Sequence, residues 1–230
     1  MIWDAQNESV TEATGKAITA VRSPDPLAAR PWDNGWSPPQ DPLDVFEAHP
    51  YPFYSSKEAS TFRLSKFADM PGAPGVPGGI RGNRLMNDGD NPVIINEYGW
   101  LWLNRDGTPT TLSKKNYEAM LGPDATVEAR REFYARHLAA MTEFWRCRRQ
   151  GAGGLHFCGL GYSRPDGQTS DHFLDLEKLT LEPHFTRYVG DSFAPVGLMI
   201  DFWADEVPPG KRQEVPVVVL NDTYQPWQGR

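Results

Sequence analysis

The chain has 230 residues, 39% of them hydrophobic, which is enough for a substantial core and for an enzyme. A formal charge of −7 without a clustered basic face argues against nucleic acid or an anionic membrane as a partner. There are two cysteines, Cys147 and Cys158, no Cys/His spacing typical of zinc, no signal-like start and no apolar run near ~20 residues. The chain therefore reads as soluble, with no cofactor, metal or disulfide expected; its compartment stays open, a periplasmic or secreted parent included.

Residues 2–6 read as a strand entered without a leader or cap, as if in the middle of a domain. A helix over 9–20 follows, then a Pro-rich stretch through Trp32. Residues 43–49 read as a short strand ended by Pro50, and 56–69 have helical character with Phe62 and Phe67 as core candidates. Gly and Pro dominate 71–82, which reads as a loop. The clearest strand is 92–97, a β-branched run bounded by Asn-Pro and Tyr-Gly, as buried parallel strands are.

A helix over 126–150 follows, with Phe133, Leu138, Met141, Phe144 and Trp145 on one stripe. Its Arg130, Arg131, Arg136, Arg146, Arg148 and Arg149 read as a solvated surface. Residues 153–158 give another short buried strand. Alternating strands and helices predict an α/β architecture with a parallel sheet over 1–190. From about Ala194 the texture changes: 196–203 and 215–220, around Pro209-Gly210, predict antiparallel strands opening a β-sandwich domain over 191–230. The chain reads as truncated at both ends.

Glu8 and Glu97 each follow an asparagine at the C-terminal end of a predicted strand. In a parallel α/β barrel that is the face where chemistry occurs. They lie 89 residues apart. A barrel of about 250 residues spends about 31 on each strand-helix unit, so this is close to three units and puts the two carboxylates across the mouth from each other. Opposed carboxyl groups whose environments separate their pKa values suit glycosidic cleavage: one protonates the leaving oxygen and the other attacks the anomeric carbon.

Ile2-Trp3-Asp4-Ala5-Gln6-Asn7-Glu8 and Pro92-Val93-Ile94-Ile95-Asn96-Glu97-Tyr98-Gly99 resemble the fourth- and seventh-strand signatures of glycoside hydrolase family 2, which includes β-galactosidases, β-glucuronidases and β-mannosidases. Asp25-Pro26-Leu27-Ala28-Ala29-Arg30-Pro31 resembles the segment leading into that family's fifth strand, and His49-Pro50-Tyr51 falls where a sixth-strand Tyr is placed. The resemblance implies strands four to eight of a (β/α)8 TIM barrel followed by the start of an antiparallel β-sandwich. It implies a retaining hydrolase of β-glycosidic bonds in oligosaccharides or polysaccharides. Glu8 would be the acid/base and Glu97 the nucleophile. Asn7 would bond the hydroxyl beside the anomeric centre, Tyr51 would donate to Glu97, and His49 would line the pocket. Trp100 would offer an aromatic face to a sugar ring.

Leu155-His156-Phe157-Cys158 lacks the Trp often found on the eighth strand of such barrels, and strands one to three, normally from the N-terminal part of the same polypeptide, are absent. The 230 residues alone are therefore expected to be inactive or nearly so. Two rival readings are a metal-dependent hydrolase using His49, His156, Glu8 and Glu97, and a non-catalytic carbohydrate-binding protein on a glycosidase-like barrel.

Overall fold

The computed structural model describes residues 3–4, 11–22, 30–33, 35, 40–53, 56–61, 65, 91–147, 152–155 and 162–229. Asn7, Glu8, Phe62, Phe67, the loop over 71–82, Arg148, Arg149, His156 and Cys158 lie outside the described residues. The chain divides into two units. One comprises Met1–Tyr51, Pro71–Tyr98 and Arg148–Phe157; the other comprises Pro52–Met70, Gly99–Cys147 and Cys158–Arg230.

The first unit holds short parallel strands taken in sequence order. β1 (Trp3–Asp4) pairs with β2 (Trp32–Asp33), after helix α1 (Glu12–Arg22). A single parallel bridge, Asp33 to Val45, leads from β2 towards β3 (Phe46–Ala48). Parallel ladders then join β3 to β4 (Val93–Ile95) and β4 to β5 (Ala152–Leu155). The expectation of an α/β protein with parallel strands is met in these small sheets.

Both faces of β3 are buried, as parallel strands require. Phe46 and Ala48 cluster with Val93 on one face. Strand alternation sends Val45, Glu47 and His49 to the other, and the register of Glu47 opposite Ile94 puts Ile94 and Asn96 there too. The β-branched Val93-Ile94-Ile95 run favours the extended backbone of β4. Asn91, just before it, donates to the Asp41 and Asp44 carbonyls at 3.0 Å each, and the Phe46 amide donates to the Pro92 carbonyl at 2.8 Å. Buried Asp44 accepts the backbone amides of Gln40 and Asp41 and the guanidinium of Arg22, the last residue of α1. These bonds fix the strand ends that carry the side chains discussed below.

The second unit is built on α2 (Ser56–Thr61), α3 (Lys114–Leu121) and α4 (Val127–Cys147). The Thr126 hydroxyl caps α4 by accepting the Ala129 amide at 3.1 Å. Leu138, Met141, Phe144 and Trp145 form the buried stripe expected of this helix, joined by Tyr134, Ala135, Ala139 and Thr142. Phe133 is only half-buried and stacks on His137. The arginines differ from a plain solvated surface. Arg136 is exposed, but Arg130 donates to the Gly107 and Ala125 carbonyls and Arg131 to that of Arg105. Gly107 takes φ 79°, and a Cβ there would stand 2.2 Å from Val127 Cγ1, so the turn admits no side chain.

Arg146 reaches the Ser192 and Ala194 carbonyls and the Asp222 carboxylate. It thereby ties α4 to the antiparallel pair β8 (Val196–Ile200) and β9 (Val217–Asn221), the pairing expected from the sequence. A second small pair joins β6 (Phe173–Asp175) to β7 (Thr180–Leu181). No described helix is long and apolar enough to cross a membrane.

Two histidines of this unit pack against aromatic rings, His172 buried and His137 half-buried. His172 stacks on Phe185 at 3.9 Å, and burial pushes its pKa down to about 3; burial also pushes His137, against Phe133, down to about 4. Unfolded histidine titrates near 6.5, so between that pH and the folded values the unfolded chain binds more protons. Stability should therefore be fully present above about pH 6.5 and fall on acidification, at up to about 1.4 kcal/mol per pH unit for each histidine. Urea unfolding at pH 7, 6 and 5 measures the slope, which His172→Gln should make shallower.

Candidate active site

The strand geometry just described brings together the C-terminal ends of β3 and β4. After β3 come His49, Pro50 and Tyr51; after β4 come Asn96 and Glu97. Glu47 lies within β3, and His49 and Tyr51 follow its end with their rings 6.0 Å apart. The Tyr51 hydroxyl donates to Glu97 Oε2. His49 Nδ1 stands 3.7 Å from that same oxygen, while its Nε2 stands 3.4 Å from Oε2 of Glu47. Asn96 Nδ2 donates to this Glu47 oxygen at 2.6 Å.

Burial grades the site. Glu47 is 0% and His49 1% exposed, whereas the Glu97 side chain keeps 16% of its surface. The inner carboxylate is sealed and the outer one is accessible. A carboxylate held by one phenol and faced by an imidazole has a fixed direction. Chemically, this group can act as an oriented nucleophile or base.

Of the residues singled out from sequence, His49, Tyr51 and Glu97 meet here. Asn7 and Glu8 lie outside the described residues. Trp100 belongs to the second unit, where its ring lies 5.0 Å from that of Trp102. Its backbone has φ 80°, in the left-handed region that bulky residues rarely adopt. Its carbonyl accepts from the buried Asn116 side chain at 3.5 Å. Sequence reasoning gave no role to Glu47 or Asn96. The signal was the two-residue spacing of Glu47, His49 and Tyr51.

Among the described residues no group of three or more His, Cys, Asp or Glu is placed to hold a metal ion. No protein-family model, curated protein or solved structure matches the chain.

Proposed function

We propose that this chain is the C-terminal half of the (β/α)8 catalytic barrel of a retaining β-glycosidase similar to glycoside hydrolase family 2, followed by the start of a β-sandwich domain. The observation that carries the reading is Glu97 at the end of β4, held by the Tyr51 hydroxyl and faced by His49 from the neighbouring strand end. Parallel strands in sequence order from β1 to β5, with polar groups gathered beyond the ends of β3 and β4, support it further.

In this mechanism the Glu97 carboxylate attacks the anomeric carbon while the Glu8 carboxylic acid protonates the departing glycosidic oxygen. The glycosyl ester on Glu97 is then cleaved by water, with Glu8 taking the water's proton. Tyr51 holds and aims Glu97, and His49 lines the pocket beside it. Oligosaccharides or polysaccharides with β-linkages are the substrate class, acted on by the full-length polypeptide.

Activated 2-deoxy-2-fluoro β-glycosides test the proposal, because they form the glycosyl-enzyme readily and release it slowly. The chain and the full-length product of its gene are incubated with a panel of such sugars, and intact mass and peptide mapping follow. An ester on the peptide containing Glu97 supports the mechanism and names the sugar. If the folded full-length protein binds sugars without forming any adduct, the non-catalytic carbohydrate-binding reading replaces it. Tyr51→Phe should slow adduct formation about tenfold to a hundredfold, the effect of losing one hydrogen bond to a charged group worth about 1.5–3 kcal/mol. Stopped-flow release of the aryl leaving group reads it directly.

A further inference from the structure

In the second unit a pocket of about 500 Å³ opens beside α4, and nothing in the mechanism above uses it. That volume falls in the range of sites for small organic ligands. Glu132, Phe133, Arg136 and His137 line it from α4, recurring at the helical spacing of three and four. Phe202 and Trp203, in the segment after β8, add two further rings. All three aromatic side chains are half-buried, so each keeps accessible surface. Trp203 is held in place: its indole N–H donates to Asp201 Oδ1 at 2.7 Å, and its ring meets the buried Phe144 at 5.9 Å.

The polar lining has both signs. The Tyr188 hydroxyl donates to Glu132 Oε1 at 3.2 Å, and Arg136 Nη1 stands 3.7 Å from that same oxygen, too far for a hydrogen bond. The two side chains keep 42% and 63% of their surface, so Glu132 Oε2 and the Arg136 N–H groups are within reach of a ligand. His137 Nδ1 donates to the Phe133 carbonyl at 2.8 Å, and burial keeps this imidazole neutral at pH 7. The charges of Glu132 and Arg136 cancel, and a ligand of either sign would face a like charge. A guanidinium only donates and a carboxylate only accepts, whereas a hydroxyl does both, so neighbouring hydroxyls on a neutral ligand match the pair. The rings call for apolar C–H surface. A pyranose unites these demands, with C–H groups on its faces and hydroxyls around its rim.

We infer that this pocket is a second saccharide-binding site, which takes part of a neutral oligosaccharide chain. That the chain is also the substrate of Glu97 rests on the glycosidase reading; binding in the pocket does not.

Saturation-transfer difference NMR of the complete 230-residue chain with tetraoses of β-linked glucose, mannose and galactose tests the site. One or more of them should bind saturably. Arg136→Ala and Phe202→Ala should each weaken that binding about tenfold, the scale of one charged hydrogen bond or one ring contact, and Glu97→Gly should leave it as it is. Arg136 is exposed, so its variant keeps the fold and decides the matter should Phe202→Ala not fold.

If the folded chain binds no tetraose, or binds one equally well in the folded variants of Arg136 and Phe202, the inference falls. It falls as well if anilinonaphthalene sulfonate binds, is lost in Phe202→Ala and is displaced by no tetraose, the behaviour of an apolar groove for a protein partner. A glycosyl ester on Glu97 with tetraose binding insensitive to Arg136→Ala would sink this site and leave the glycosidase reading. Tenfold weakening by Arg136→Ala, with no ester formed by the full-length protein, would do the reverse.

Discussion

Replacing Glu97 with glycine in the full-length protein should cut turnover of an activated aryl β-glycoside about a thousandfold or more, since in the proposed mechanism the step that forms the glycosyl ester loses its nucleophile. The fold should survive. Glu97 lies beyond the last hydrogen-bonded residue of β4 and is the least buried member of its cluster, so its removal leaves no large cavity. Added azide should restore part of the rate. It can enter the space vacated by the carboxylate and attack the anomeric carbon from the same side, giving an α-glycosyl azide as the aryloxide leaves. That product, identified by NMR, separates a lost nucleophile from general damage. Wild-type turnover in Glu97→Gly would end the proposal.

Trp145→Ala should cost about 3–5 kcal/mol, the range for deleting a large buried aromatic. Trp145 is 2% exposed and meets Phe144 edge to face at 6.2 Å; Phe144 in turn meets Trp203 at 5.9 Å. Removing the indole leaves a void on the buried stripe of α4 and strips Phe144 of one of its aromatic neighbours. For a chain of this size the loss corresponds to a melting temperature lower by about 10 °C. Calorimetry measures it, and Arg136→Ala, at an exposed position on the same helix, should be close to neutral by comparison.

The parts of the molecule legible in the sequence were those where one physical rule acts alone. The β-branched run at 93–95, the apolar stripe of α4 and the paired strands 196–200 and 217–221 each follow from side-chain period, and each was placed within a few residues. Arg130, Arg131 and Arg146 were misjudged because long-range carbonyl acceptors, not charge patterning, decide where a guanidinium goes. The pair His49 and Tyr51 was singled out by the resemblance of His49-Pro50-Tyr51 to a family motif at a strand end. Glu47 was legible only in its two-residue spacing from His49 and Tyr51; its partner Asn96 is 49 positions away in the chain. Only strand register brings the two together.

The hairpin of β8 and β9 bears on how the protein behaves once it is made. On its inner row Met199 and Leu220 are buried, but on the outer row Leu198 lies opposite Val219 and Ile200 opposite Val217, all four more than half exposed. A two-stranded ladder that is greasy on both sides has its own stickiness, independent of how well the helices beneath it are packed. Concentration rather than heat would then set the practical limit of a preparation. Charged residues at Leu198 and Val219 would raise that limit while leaving the buried row, and the chemistry of the other unit, as they are.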